Sequence, residues 1–399
     1  MSMVAPSLSA QKSSLEQPIF RFGPLSPTDS WSIEQRLSYV GCGQVCENIH
    51  TIPTADNLRD AVRFTHRFLL EGLFYPQISN TGHHSWLEVF YAHRYNFRSS
   101  FSGSFNMFTG SMVALVTPMQ VDGSVDYPAL ERLVEFHIEN QTDAIVSVGT
   151  SGESATLTHK ENVDVIKQTL VFAAGRVPVI AGTGSNSTAE AIEMTTLAHQ
   201  AGADAALLVV PYYNKPEQAG LFLHFQAIAK AVAIPQIMYN VPGRTARNMD
   251  NDTSVKLAAI GNIIGIKDAT ADIAAGKDLV ERTPDDFSVW SGDDGTTLEL
   301  IKRGGKGCIS VTANAAPLAM HQMCQAALDG DYDRADAINT RLDPLHKNLF
   351  IEANPIPIKY AVSRMGLMGP SIRLPLTELA AEHREQVEQA MEYAGITLP

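Results

Sequence analysis

Cysteine is scarce in this chain: four in 399 residues, at Cys42, Cys46, Cys308 and Cys324. They are too few and too scattered to form a disulfide framework, and a reducing, cytoplasmic setting fits them. Long apolar runs are also lacking. None reaches the roughly 18 residues of a membrane span, and the N-terminus shows no basic segment leading into a compact apolar stretch, so a soluble, non-secreted product is expected. Positive charge is in short supply, with 30 Lys+Arg against 43 Asp+Glu for a net charge of -13. That balance excludes nucleic acid and anionic membrane as expected partners, because phosphate contacts need clustered Lys and Arg. Any anionic substrate must meet a local positive site instead.

The charge is unevenly spread. Residues 1–106 hold 8 Lys+Arg and 8 Asp+Glu, so the remainder carries the whole excess; the same 106 residues hold 15 of the 30 Phe, Trp and Tyr side chains and 5 of the 12 His. The two parts do not look like one design. Residues 1–106 read as an N-terminal extension without sustained periodicity, and 107–399 as the separate folded domain. Three origins stay open for the extension: upstream sequence from a mis-assigned start, a targeting peptide (which would make the location a plastid), or an accessory segment. Cys42, Cys46, His50, His83 and His84 lack a second cysteine pair at structural zinc spacing, so no metal site is expected there.

What is present is a repeat. From residue 107 onward, eight β-rich apolar runs recur, each followed by a helix-like stretch: 111–118, 143–150, 177–184, 205–213, 235–242, 263–270, 287–294 and 307–314. Their apolarity is continuous rather than alternating, as in strands buried on both faces. Thr158 with Glu161 and Ser187 with Glu190 fit the capping-box pattern that opens a helix. Eight βα units predict a (β/α)8 TIM barrel. The rival open doubly wound sheet would carry a Gly-rich dinucleotide loop after its first strand, and TPMQVDGS is not one. About 85 residues of helical periodicity follow the eighth run, more than one helix needs, so a C-terminal helical appendage is expected from about residue 315.

A barrel gathers its chemistry at the C-terminal ends of its strands. Lys267, inside the apolar run IIGIKDAT, would be costly to bury as an ammonium and is suited to attack a ketone as a free amine. A buried ion pair with Asp268 is the plain alternative, but adjacent strand residues face opposite ways. Thr150, Ser151 and Glu153 stand at and just past the end of the second run in GTSGESATL, where hydroxyls and free N–H groups can hold a carboxylate, or where the chain simply turns into a helix. Tyr212, Tyr213 and Tyr239 close the fourth and fifth runs, as proton carriers or as packing aromatics. Arg244, after a Pro-Gly turn, suits a second carboxylate, although a lone arginine is more often a surface residue.

Taken together, MFTGSMVALVTPM, VGTSGESATL, AGTGSNSTAEA, PYYNKP, YNVPGRT, NIIGIKDAT, SGDD and ISVTAN closely resemble the dihydrodipicolinate synthase family in order and spacing, from Met107 to the C-terminus. That family lies within the pyruvate-dependent aldolase superfamily that also holds N-acetylneuraminate lyase and other sugar-acid lyases. Arg244 and Tyr213 look like the synthase branch. The resemblance implies a lyase in which Lys267 forms an imine with pyruvate. The resulting enamine attacks L-aspartate 4-semialdehyde, on the diaminopimelate route to L-lysine. The imine is its own electron sink, so no metal or other cofactor is implied.

By the same resemblance Tyr239 is the general acid and base, linked through Thr150 to Tyr213 of a neighbouring subunit in a homotetramer. Arg244 binds the semialdehyde carboxylate, and Ser151, Gly292 and Ile309 match pyruvate-site positions. Ser154, Ala155, Leu157, His159, Asn186, Glu190 and Tyr212 resemble the family's L-lysine feedback site. Two departures stand out. Ser151 replaces a common threonine, and Asn162 replaces a histidine common in lysine-sensitive members. A sugar-acid lyase is the alternative enzyme, and a barrel retained only for binding is the remote one.

Overall fold

A computed structural model of the chain describes residues 108–399. The extension, with its zinc candidates and the three readings of its origin, lies outside the described residues. The eight expected strands all form: β1 Gly110–Ala114, β2 Ala144–Ser147, β3 Val179–Gly182, β4 Ala205–Val209, β5 Gln236–Asn240, β6 Ile263–Asp268, β7 Ser288–Ser291 and β8 Gly307–Ser310. They hydrogen-bond in chain order, every pair parallel, and β8 returns to β1 to close the barrel. The helices are α1 Tyr127–Glu139, α2 His159–Ala173, α3 Thr188–Ala201, α4 Gln218–Ala231, α5 Pro242–Thr245, α6 Asn251–Ala258, α7 Ile273–Arg282, α8 Thr297–Lys302, α9 Pro317–Leu328, α10 Tyr332–Asn348, α11 Ile356–Arg364 and α12 Ala381–Tyr393. The last three form the C-terminal appendage.

Strand alternation sorts the core into two layers. Met112, Ala114, Val146, Ile180, Leu207, Ile237 and Trp290 fill the barrel interior, whereas Val113, Ile145, Val179, Leu208, Met238 and Ile266 pack against the helices. Both faces of each strand are therefore dry, which is why the sequence shows runs and not alternation. Trp290 plugs the lower barrel and its indole donates to the Phe108 carbonyl at 2.9 Å. Among the described residues no helix is long and apolar enough to cross a membrane.

Of the two expected capping boxes, one forms. Thr158 and Glu161 bond reciprocally at the start of α2. At α3 only half of the box is made: Ser187 accepts from the Glu190 N–H, but the Glu190 carboxylate instead takes the Ser185 hydroxyl at 2.9 Å and the His159 imidazole at 2.6 Å. The nearby imidazole outcompetes the weaker backbone donor.

Glu161 does a second job. It receives the guanidinium of Arg373 from the appendage, and that bond, reinforced by the Thr158 N–H, holds its carboxyl down at about 2. A carboxyl depressed in the fold contributes stability that is present above its ordinary value of 4.5 and is lost as pH falls towards 2. The thermal midpoint should therefore fall more steeply between those two values in the wild-type chain than in Glu161→Gln. Parallel slopes for the two proteins would show that the Arg373 contact contributes nothing.

Candidate active site

The barrel interior ends upward in a cavity of about 120 Å³ whose lining includes Thr150, Ser151, Tyr239, Arg244, Lys267 and Gly292. Register explains why the central pair meet. Strand pairing sets Tyr239 of β5 beside Lys267 of β6, so both become the last inward-facing residues of their strands. Lys267 Nζ stands 4.3 Å from the centre of the Tyr239 ring, and Lys267 has no ion-pair partner among the described residues. Asp268 faces the other way, its carboxylate accepting from the Thr270 hydroxyl at 2.8 Å. The buried ion pair between Lys267 and Asp268 does not form.

Gly292 is at the end of β7 because the lysine passes there. A Cβ at that position would stand 2.7 Å from the Ala269 methyl and 2.9 Å from Lys267 Cε. Glycine is the residue type that leaves the lysine its path.

The loop after β2 is bent by Val148, a β-branched residue at φ 51°. Such a backbone costs roughly 1–3 kcal/mol and persists only where its surroundings enforce it. It turns Gly149, Thr150 and Ser151 into the barrel mouth. Two residues further on, Glu153 is also left-handed (φ 56°), and its buried carboxylate pairs with the buried ammonium of Lys359 on α11. The other Glu153 oxygen accepts from the Arg373 N–H at 3.1 Å. Burial pushes the Lys359 ammonium down from its ordinary range, and the facing Glu153 opposes that shift. The appendage thus grips the loop that carries Thr150 and Ser151.

Arg244 sits on the short α5, which is closed by the Thr245 hydroxyl donating to the Arg247 carbonyl at 2.8 Å. Its guanidinium donates to the Asn354 carbonyl at 3.1 Å, at the rim where the cavity opens. Ile309 is placed below the lining, in the barrel interior, and Val311 reaches the cavity instead. Tyr213 is outside altogether, 88% exposed and left-handed at φ 70°. No hydrogen bond among the described residues joins it to Thr150 or Tyr239.

A wider groove of about 580 Å³ shares Thr150, Tyr239 and Arg244 with the cavity and runs outward past Ser154, Ala155, Leu157, His159, Glu190 and Tyr212. Asn162 also lines it, its amide nitrogen donating to the Ser154 carbonyl at 3.2 Å. Asn186 is not brought into the groove. Its amide donates to the Tyr212 carbonyl at 3.2 Å and so positions the loop beside it. Asp293, Phe350 and Asn354 line the cavity without having been singled out in the sequence. Asp293 was open to discovery as part of SGDD; Phe350 and Asn354 lie in the appendage, where the local sequence reads only as a turn before a helix.

A closed parallel barrel whose mouth narrows onto one unpaired lysine, with a tyrosine beside it and an arginine at the rim, defines an enzyme of the barrel class acting on small anionic molecules. The comparisons narrow the class. Residues 107–394 match the model of the dihydrodipicolinate synthetase family, and the chain belongs to that family. It is 61% identical over 292 residues to 4-hydroxy-tetrahydrodipicolinate synthase of Thioalkalivibrio sulfidiphilus, covering 73% of this chain and 99% of the relative. The enzyme of the same name from Nitrosomonas europaea is 59% identical over 292 residues, 73% of this chain and 100% of the relative. Among solved structures, the chloride-inhibited dihydrodipicolinate synthase of Acinetobacter baumannii, complexed with pyruvate, superimposes with a TM-score of 0.72 at 54% identity, covering 72% of this chain and 99% of that one.

Proposed function

We propose that the chain acts as a 4-hydroxy-tetrahydrodipicolinate synthase, joining pyruvate to L-aspartate 4-semialdehyde through an imine on Lys267. The observation that carries this reading is the unpaired Lys267 nitrogen, 4.3 Å from the Tyr239 ring at the bottom of a cavity rimmed by Arg244. The lysine amine attacks the pyruvate ketone, and water leaves as the imine forms. Loss of a methyl proton then gives the enamine carbon nucleophile. The protonated imine holds the electron pair released in that step, so the reaction calls on no metal or other cofactor. Tyr239, beside Lys267, is the proton carrier, Ser151 and the free N–H groups after β2 receive the pyruvate carboxylate, and Arg244 receives that of the semialdehyde.

The exposed, strained Tyr213 supports an assembly in which this residue completes the site of a neighbouring copy, as a homotetramer built from two dimers would require. The groove through His159 and Glu190 suits an amino acid's two charged ends, and L-lysine is the proposed effector. One assay tests the reaction and the effector. Purified full-length chain should turn over pyruvate with the semialdehyde but not with N-acetylmannosamine, and millimolar L-lysine should slow it. Turnover with N-acetylmannosamine alone would move the assignment to a sugar-acid lyase, and an unchanged rate with L-lysine would remove the effector.

A further inference from the structure

Ser151 after β2 and Arg244 after β5 both end on one residue of the C-terminal appendage. Asn354 is buried at 5% exposure and lines both the cavity and the groove. Its main-chain carbonyl takes the Arg244 guanidinium at 3.1 Å. Its side-chain amide meets Ser151 Oγ with both atoms: Nδ2 donates to it at 3.0 Å, and the hydroxyl reaches back to Oδ1 at the longer distance of 3.4 Å. The distinction matters because a serine hydroxyl has one proton to give. With the amide N–H donating into Ser151 Oγ as the stronger contact, the serine proton can turn to the cavity; a bond from the hydroxyl to Oδ1 as the stronger one would take that proton away. The shorter contact is the one that frees it.

We propose that Asn354 is a positioning residue whose amide aims the Ser151 hydroxyl proton into the cavity, at the carboxylate of the keto acid bound to Lys267. The proposal rests on the reading of Lys267 as the imine-forming residue. Asn354 has no need to touch the substrate to act. It sets which of two directions a neighbouring donor points, and an orienting bond of this kind is felt mainly in ground-state binding of the first substrate. Arg244 provides an internal control. It is held by the main chain of Asn354, so replacing the side chain leaves the second carboxylate subsite in place.

The test uses the full chain carrying Asn354→Ala, Asn354→Asp, Ser151→Ala, and Ser151→Ala with Asn354→Ala. Pyruvate is titrated, the Lys267 adduct is trapped with borohydride, and its yield is read by intact mass. KM for the semialdehyde is measured alongside. Asn354→Ala should raise the pyruvate concentration for half-maximal trapping about tenfold, the loss of one hydrogen bond to a charged group. Asn354→Asp should raise it further, because the new carboxylate takes the Ser151 proton and repels the substrate. Asn354→Ala should change KM for the semialdehyde less than about twofold, and should cost nothing more once Ser151 is already alanine. General loosening of the site would not give that pattern. Equal trapping by wild type and Asn354→Ala would overturn the proposal, as would a cost that adds in full to that of Ser151→Ala. A wild-type chain that traps no pyruvate would sink the imine reading itself, a result distinct from either.

Discussion

Lys267→Ala will lose turnover by on the order of 10⁴-fold or more while the protein stays folded. The size follows from removing the proposed nucleophile, for which no other amine among the lining residues can substitute. The intact fold follows from what Lys267 does not do. It makes no ion pair among the described residues, and its one aromatic neighbour, Tyr239, keeps its place in β5 through the strand ladder. Steady-state rates, a thermal melt and borohydride trapping with pyruvate measure the three parts together. Persistent turnover in a variant that traps no adduct would mean that the chemistry runs without an imine. Loss of the cooperative melt would mean that the lysine is structural.

The second large effect lies away from the reacting atoms. Lys359→Met will cost about 3–5 kcal/mol of stability, because it leaves the buried Glu153 carboxylate without its cation. Activity should fall with it, since Glu153 sits two and three residues beyond Ser151 and Thr150 on the same loop. Pairing the change with Glu153→Gln should recover much of the loss, because a neutral amide can use the Arg373 N–H without needing a countercharge. Urea unfolding of the two single variants and the double variant reads the coupling directly. Additive losses would show that Glu153 and Lys359 stabilise the fold independently.

How far the sequence could be read depended on the range of each signal. The barrel was legible because eight runs repeat one local pattern, and Lys267 stood out because an ammonium inside IIGIKDAT contradicts its surroundings. That Asp268 would not satisfy it was also legible, from strand alternation alone. The meeting of Tyr239 with Lys267 needed more, since only the register of β5 against β6 brings them together. Contacts with the appendage left no trace. Glu153 reads as a turn residue and Lys359 as a helix residue, and nothing local marks the pair. Glu190 misled in the opposite way: S-x-x-E is a real capping pattern, but His159, 31 positions earlier, supplied a better partner than the backbone. Tyr213 is a different case. Its solvent exposure within one chain has no local explanation in a residue held at positive φ, and the proposed assembly supplies one.

The grip of the appendage on the β2 loop also has an order in time. A chain emerging from the ribosome has all eight strands once Ser310 has been made, and the hydrophobic layers of the barrel can then begin to close. Asn354, Lys359 and Arg373, which seat Ser151, Glu153 and the loop between them, have not yet been synthesised at that stage. The nascent barrel would thus hold Lys267 before it holds the loop proposed to receive the substrate, and competence for the proposed reaction would be among the last properties the growing protein acquires.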